Sequence, residues 1–223
     1  HIIAANIDLA LIIVTLYLPQ TPLAFIDRFL VTCEAYRVPV KIILNKSDLN
    51  KDNQESVESF RELYNSAGYE VIEVSCITGE NIDVLKKECK DKLTLLSGIS
   101  GVGKSTLINT LDSTLNLRTK EISEYHLQGK HTTTYYEIHP LSTGGFVIDT
   151  PGIRGFGLIE IKPEELSHYF PEMLKVLDNC RFAPCTHTHE PGCAVKAAVD
   201  AGEISADRYI SYIGMLEEEG KYR

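Results

Sequence analysis

A glycine-rich loop after an apolar segment limits the fold of this chain more than any other feature. Residues 98–105 read Gly-Ile-Ser-Gly-Val-Gly-Lys-Ser, and an apolar run at 93–96 precedes them. Glycines in such loops let backbone N–H groups approach phosphate oxygens, and the start of the following helix adds positive potential. The residues that we expect to contact a nucleotide here are Gly98, Ile99, Ser100, Gly101, Val102, Gly103, Lys104, Ser105 and Thr106. The pattern predicts a strand, a phosphate-binding loop and a helix from about Lys104, rather than a glycine turn that binds nothing.

Apolar and amphipathic segments alternate through the first 150 residues. Runs at 8–14, 40–44, 70–75, 93–96, 135–139 and 146–148 are typical of buried strands, and 22–36, 53–67 and 81–90 have helical spacing. The alternation predicts an α/β fold whose parallel-rich sheet is covered by helices on both faces. We predict a nucleotide-binding domain over 1–160 with a polar loop at 118–134, and a small, mostly helical domain over 161–223 with a helix at 205–220.

Composition excludes several classes of protein. The chain carries 22 Lys and Arg against 31 Asp and Glu, a net charge of −9, and 43% of its residues are hydrophobic. This composition is ordinary for a globular protein, and the acidic balance argues against one that simply coats nucleic acid. No apolar run reaches the ~18 residues of a membrane span, and no signal peptide is visible. We expect a cytoplasmic protein with no membrane partner, and a further segment upstream of His1.

A second phosphate-side motif follows the last predicted strand of the sheet. Asp149-Thr150-Pro151-Gly152 comes 44 residues after the phosphate loop. A carboxylate at a strand end can hold Mg²⁺, and the Gly152 backbone can face a terminal phosphate closely. The same four letters also form a common turn, so the motif gains its meaning from the loop that precedes it. We expect Ser105 and Asp149 to bind Mg²⁺.

Two motifs at earlier strand ends are suited to a guanine base. The first is Asn45-Lys46-Ser47-Asp48. The Asp48 carboxylate can accept hydrogen bonds from both N1–H and N2–H₂ of guanine, and adenine has no such pair of donors. The Lys46 stem can lie along the base, and Asn45 can tie loops together. After the next strand, Ser75-Cys76-Ile77 could direct the N–H of Cys76 or Ile77 at the guanine oxygen. Either motif alone is a frequent polar turn.

A cluster of cysteines and histidines lies near the C-terminus. Cys180, Cys185 and Cys193 fall within 14 residues, with His187 and His189 between them. Three thiolates and one imidazole form a common ligand set for a closed structural zinc site. Either histidine could supply the nitrogen. Because residues 163–223 have little apolar content, we expect the metal to replace a missing core.

Together, these motifs resemble those of GTPases, but in a permuted order. GTPases ordinarily carry the phosphate loop first and the base motifs last, whereas here 45–48 and 75–79 precede 98–105, 132–134 and 149–152. A circular permutation joins the old termini, here at residues 86–92. This order, with His131-Thr132-Thr133-Thr134 and the Cys/His cluster, closely resembles the ribosome-small-subunit-dependent GTPases (the RsgA/YjeQ family) over essentially all 223 residues.

The resemblance implies an activity, cofactors and partners. It implies a GTPase activated by the small (30S) ribosomal subunit in late subunit maturation, with Mg²⁺ alongside GTP and one structural Zn²⁺ held by Cys180, Cys185, His187 and Cys193. Its partners would be GTP or GDP, the subunit and its rRNA, with the chain a monomer. The family's N-terminal RNA-binding OB-type domain would lie upstream. An alternative hypothesis is a GTP-controlled ribosome-binding switch in which hydrolysis is only a release step. A third hypothesis is an ATP-dependent enzyme.

Catalysis would need groups beyond the phosphate loop. Lys104 supplies charge, and among the three threonines Thr133 is our candidate for the Mg²⁺ ligand. The position after Gly152, where many GTPases place a water-orienting Gln, holds Ile153, which predicts slow intrinsic hydrolysis. His131 is the candidate for orienting water. Six basic residues could form an RNA-binding face or be scattered charges: Arg118, Lys120, Lys130, His131, Arg181 and Lys196.

Overall fold

The sheet of the protein has six strands and is parallel except at one edge. The structure is a computed structural model that describes residues 6–117, 137–149 and 161–221. The strands are β1 (Leu9–Val14), β2 (Val40–Asn45), β3 (Val71–Val74), β4 (Leu93–Ser97), β5 (Glu137–Pro140) and β6 (Phe146–Asp149), in the order β3-β2-β1-β4-β6-β5. Only β5 runs antiparallel to its neighbour. All six predicted strands are present, and the predicted parallel-rich sheet is confirmed.

Seven α-helices accompany the strands in the described residues. They are α1 (Leu23–Tyr36), α2 (Gln54–Ser66), α3 (Ile82–Cys89), α4 (Lys104–Leu111), α5 (Pro171–Leu174), α6 (Ala194–Asp200) and α7 (Ala206–Lys221). Each predicted helix is found within two residues of its expected bounds. No helix in the described ranges combines the length and apolar character needed to cross a membrane.

Within these residues, the chain forms two compact units. The first contains 6–21, 38–57, 71–117 and 137–149, and the second contains 22–37, 58–70 and 161–221. In the first unit, one face of the sheet packs on α3 and α4 through residues such as Leu11, Leu85 and Leu107. Neighbouring residues of β1 point to opposite faces, and all six are buried. The interior strand β1 is therefore covered on both faces, as its unbroken apolar sequence predicts.

The second unit has a hydrophobic core of its own, contrary to the expectation that a metal replaces a missing core. Phe170, Met173, Val195 and Tyr212 are fully buried together with Val31 of α1. The prediction took the apolar content of residues 163–223 as too low for a core, but residues 161–215 supply all the buried side chains of this core except Val31.

A buried arginine links three helices of the second unit. The Arg208 guanidinium of α7 donates to Asp27 of α1 at 2.7 Å and to both oxygens of Glu172 in α5, at 2.7 and 3.1 Å. It also lies 4.7 Å from the centre of the Phe170 ring. The side chain is 1% exposed. Because removing one partner of a buried ion pair leaves an uncompensated charge, loss of Arg208, Asp27 or Glu172 would destabilise this unit.

Asp112 joins the end of α4 to the turn between β5 and β6 in the first unit. Its Oδ2 accepts the Ser142 N–H at 2.5 Å, and its Oδ1 accepts the N–H and hydroxyl of Thr114 at 3.0 and 2.7 Å. These hydrogen bonds, led by that from Ser142, hold the pKa of the Asp112 carboxyl well below its usual value. The carboxylate is therefore part of what holds the hairpin to α4.

Acid should remove this contribution. A carboxyl whose pKa is depressed in the folded state stabilises the fold above its unfolded pKa, about 3.9, and the stabilisation is lost as the pH falls below that value. We expect Asp112→Asn to lower the free energy of unfolding by about 2 kcal/mol at pH 6 and by a smaller amount at pH 3, where the loss has begun but the folded-state carboxyl is still largely ionised, measured by urea unfolding. The exposed Asp52→Asn should change neither value. An equal loss at both pH values for Asp112→Asn would contradict this role.

Candidate nucleotide and metal sites

The predicted base and phosphate motifs lie at the same edge of the sheet. Asn45 ends β2 and Ser97 ends β4, and both strands pair in parallel with β1 between them. The carboxyl ends of parallel strands meet at one edge, where loops of an open α/β sheet form ligand crevices. Motifs that are more than fifty residues apart in the chain are therefore neighbours in the first unit.

Asn45 connects the two motifs directly. It is buried, and its side-chain Nδ2 donates to the carbonyl of Val102 in the phosphate loop at 2.7 Å. A Cβ at Gly103 would lie 2.5 Å from that Nδ2, and the φ of Gly103 is +96°. Position 103 therefore requires glycine, because a side chain would collide with Asn45 and because the backbone has a left-handed conformation. The expectation that Asn45 ties loops together agrees with this contact.

Lys46 makes a second connection between the motifs. Its Nζ donates to the carbonyl of Gly101 at 2.9 Å and also to the carbonyl of Leu18. Partial burial lowers the pKa of the Lys46 ammonium, and the neighbouring Asp48 carboxylate opposes that shift. With its charged end held by two carbonyls, the methylene stem has a fixed direction.

Ser75 orients the carboxylate that would read the base. Its hydroxyl donates to Asp48 Oδ1 at 2.6 Å, and its Oγ accepts the N–H groups of Ile77 and Thr78, each at 3.2 Å. The N–H of Ile77 is thus already donated within the loop. Of the two N–H groups considered for the guanine oxygen, the Cys76 N–H is the better candidate.

Lys104 and Asp149 form the charged part of the phosphate site. The Lys104 Nζ donates to the carbonyls of Gly98 and Ile99 at 2.7 and 3.0 Å. Burial lowers the pKa of Lys104 and raises that of Asp149, and each of the two charges opposes the shift of the other. Asp149 Oδ1 is buried and has no hydrogen-bond partner among the described residues. A buried carboxylate oxygen of this kind fits a Mg²⁺ ion or its bound water.

Several predicted site residues lie outside the described residues. These are His131, Thr132, Thr133, Thr134, Gly152 and Ile153, together with the basic residues Arg118, Lys120 and Lys130. Of the other basic candidates, Arg181 lies 5.5 Å from the Phe182 ring, and Lys196 donates to the carbonyl of Thr188 at 2.9 Å. Both belong to the second unit. The proposed RNA-binding face and the water-orienting group stay predictions.

The Cys/His cluster is assembled in the second unit. One ligand atom from each of Cys180, Cys185, His187 and Cys193 lies within 4.8 Å of the others. The Nδ1 of His187 is 3.3 Å from the Cys193 sulfur and 3.7 Å from that of Cys180. Tetrahedral zinc bonds of about 2.0–2.3 Å imply ligand separations of about 3.5 Å, so the donor set fits Zn²⁺. His189, the alternative ligand, is exposed, and its Nδ1 lies 2.9 Å from the Thr188 hydroxyl.

Polar side chains outside the cluster hold its loop in place. The hydroxyls of Tyr209 and Tyr212 in α7 donate to the carbonyls of His187 and Thr186 at 2.6 and 2.8 Å. The Glu190 carboxylate accepts the N–H groups of Thr186 and Thr188 at 2.8 and 3.1 Å. Sequence reasoning missed these residues, because nothing in their spacing links a C-terminal helix to the loop.

Comparison with known proteins agrees with this geometry. A family model described as RsgA GTPase matches residues 1–159. A small ribosomal subunit biogenesis GTPase RsgA from Bacteroides fragilis is 51% identical over 226 residues, covering 100% of this chain and 73% of that protein. The protein of the same name from Flavobacterium psychrophilum is 46% identical over 225 residues, covering 100% of this chain and 69% of that protein.

Two solved structures have the same fold. The crystal structure of YjeQ from Thermotoga maritima matches with a TM-score of 0.82 and 38% identity, covering 97% of this chain and 72% of that one. The structure of YloQ, described as a circularly permuted GTPase, matches with a TM-score of 0.77 and 30% identity, covering 98% and 70% of the two chains. Both matches cover nearly the whole of this chain.

Proposed function

The chain belongs to the RsgA GTPase family, and on this premise we propose that it hydrolyses GTP when the small ribosomal subunit activates it, late in the maturation of that subunit. The chain is a GTPase, and a role in small-subunit biogenesis follows from the names of its relatives. The main support for the proposal is two hydrogen bonds, which Asn45 and Lys46 donate to carbonyls of the phosphate loop. These hydrogen bonds join the motif proposed to bind guanine to the motif proposed to bind phosphate.

Guanine selection would depend on Asp48. Ser75 holds one carboxylate oxygen at 2.6 Å, and the half-buried carboxylate could accept both hydrogen bonds from the guanine edge. Adenine offers an acceptor where guanine offers N1–H, so the same carboxylate would oppose ATP. The Cys76 N–H would complete the base site by donating to the guanine oxygen.

Hydrolysis would depend on positioning and charge. Lys104 would exchange its bonds to the Gly98 and Ile99 carbonyls for bonds to phosphate oxygens, and the loop N–H groups would stabilise the charge of the transition state. Mg²⁺, whose use the family implies, would be held by Ser105, Asp149 and, in our proposal, Thr133, and would neutralise phosphate charge. His131 is our candidate for orienting the water, and Ile153 cannot do so.

The remaining assignments belong to the same proposal. We place one structural Zn²⁺ on Cys180, Cys185, His187 and Cys193, because the four ligand atoms already converge. We also propose the domain boundary near residue 160, contact with rRNA, a monomeric state and a cytoplasmic location, which the work of a ribosome biogenesis factor requires.

Activation by the subunit is the direct test of the function. We expect purified small subunits to raise GTP turnover by about a hundredfold or more, because an external group must supply or order the water-positioning residue. Phosphate release is measured with small subunits, with large subunits and with neither. Large subunits should have no effect, and Lys104→Met should be inactive throughout. Turnover that is the same in all three conditions would contradict the proposal, and tight GTP-dependent binding without turnover would favour a binding switch.

A further inference from the structure

Residues 15–21, which we call the threonine loop, are closed by two buried threonines. The Thr15 N–H donates to Thr21 Oγ1 at 3.0 Å, and the Thr21 N–H donates to the Thr15 carbonyl at 2.9 Å. The Thr15 hydroxyl donates to the carbonyl of Pro19. Thr15 and Thr21 are 2% and 5% exposed, so these bonds form with little competition from water. The loop between them therefore has one defined backbone path.

The threonine loop presents a carbonyl to the base motif. The side chain of Leu18 is 68% exposed, while its carbonyl accepts a hydrogen bond from the Lys46 Nζ. The φ of Leu18 is +51°, a left-handed conformation that is uncommon for leucine and that needs support from its surroundings. The bond from Thr15 to Pro19, the next residue, supplies such support. The direction of the Leu18 carbonyl thus depends on the two threonines.

The same loop contacts the phosphate loop. A Cβ at Gly101 would lie 3.3 Å from Pro19 Cδ, and the φ of Gly101 is +87°. The carbonyl of Gly101 is the second acceptor of the Lys46 ammonium, at 2.9 Å. Lys46 is therefore held between two carbonyls, one from the threonine loop and one from the phosphate loop.

We propose that Thr15 and Thr21 are positioning residues for guanine nucleotide retention, which they control by aiming the Leu18 carbonyl at Lys46. This inference rests on the proposed function, in which the Lys46 stem lies along the base. A lysine that is already oriented loses little freedom when a nucleotide binds, so the bound state gains stability. The gain should appear in the dissociation rate, because most affinity differences between related complexes lie there.

Release of a fluorescent GDP analogue tests the inference. We expect Thr15→Val to raise the dissociation rate about fivefold, the effect of one lost hydrogen bond, with the association rate changed less than twofold. Thr21→Val, which removes the acceptor of the Thr15 N–H, should act in the same direction, and Thr15→Ser should restore the slow release. Thr32→Val is a matched control, since Thr32 is fully buried and its hydroxyl donates within α1, to the carbonyl of Arg28. Unchanged release in both Thr15→Val and Thr21→Val would overturn the inference.

A double-mutant cycle separates positioning from general stability. Lys46→Met keeps the apolar stem and removes the ammonium. If Thr15 acts through Lys46, adding Thr15→Val to Lys46→Met should change GDP release by less than about 1.5-fold. A full fivefold effect in that background would show that the threonine acts elsewhere. If the unaltered chain binds no guanine nucleotide at all, it is the proposed function that fails.

Discussion

Asp48→Asn should weaken GDP and GTP binding by about a hundredfold and make the protein bind xanthosine nucleotides instead. The substitution removes the acceptor of two charge-assisted hydrogen bonds and places an amide N–H₂ beside the guanine donors. Xanthine carries an oxygen where guanine carries its amino group, so it can accept from the new amide. Competition of each nucleotide with a fluorescent GDP or XDP analogue measures both changes.

Asp52, four residues after Asp48, provides the control for this change of base specificity. Asp52 is exposed, and Asp52→Asn should leave the preference for guanine unchanged. ATP should compete poorly with every variant. If Asp48→Asn leaves GTP binding intact, or if ATP binds as tightly as GTP, then Asp48 does not read the base and the ATP-dependent alternative gains support.

Removing one proposed zinc ligand should eliminate the metal and destabilise the second unit. We expect Cys193→Ala to reduce the zinc content from one ion per chain to nearly none and to lower the free energy of unfolding by about 3 kcal/mol or more. Since this unit has a hydrophobic core that includes Phe170 and Val31, we expect most of its helical signal to persist. Metal analysis by mass spectrometry and thermal unfolding followed by circular dichroism measure the two effects.

A buried cysteine of the same unit provides the matched control. Cys33 lies in α1, outside the Cys/His cluster, and is 3% exposed. Cys33→Ala should keep one zinc per chain and lose only the stability of a small packing change. Full zinc content in Cys193→Ala would show that the four residues do not form the metal site.

The sequence predicts that the nucleotide motifs meet at one edge of the sheet, because each motif follows a strand. Once β1, β2 and β4 are recognised as neighbours in a parallel sheet, Asp48 and Lys104 must lie at one edge whatever their order in the chain. The permuted order of the GTPase motifs could therefore be recognised in the sequence, and the similarity to the RsgA GTPase family confirms it. The Cys/His cluster was predictable for a different reason, since its ligands are local and their spacing alone suffices.

Contacts between distant, ordinary residues could not be predicted. Nothing about Arg208 in an amphipathic helix indicates that its guanidinium is buried against Asp27, 181 positions earlier. Thr15 and Thr21 belong to no recognisable sequence motif, and their proposed positioning role depends on the backbone path of the loop between them. In both cases tertiary packing determines which polar groups are buried, and the local sequence pattern does not show which groups these are.

The most direct test of the account is a crystal structure of the protein with GDP and Mg²⁺. The account predicts one nucleotide whose guanine N1 and N2 lie about 3 Å from the Asp48 carboxylate and whose β-phosphate lies about 3 Å from the Lys104 Nζ, with Lys46 still on the Leu18 and Gly101 carbonyls. A nucleotide whose phosphates occupy the loop while its base lies away from Asp48 would contradict it.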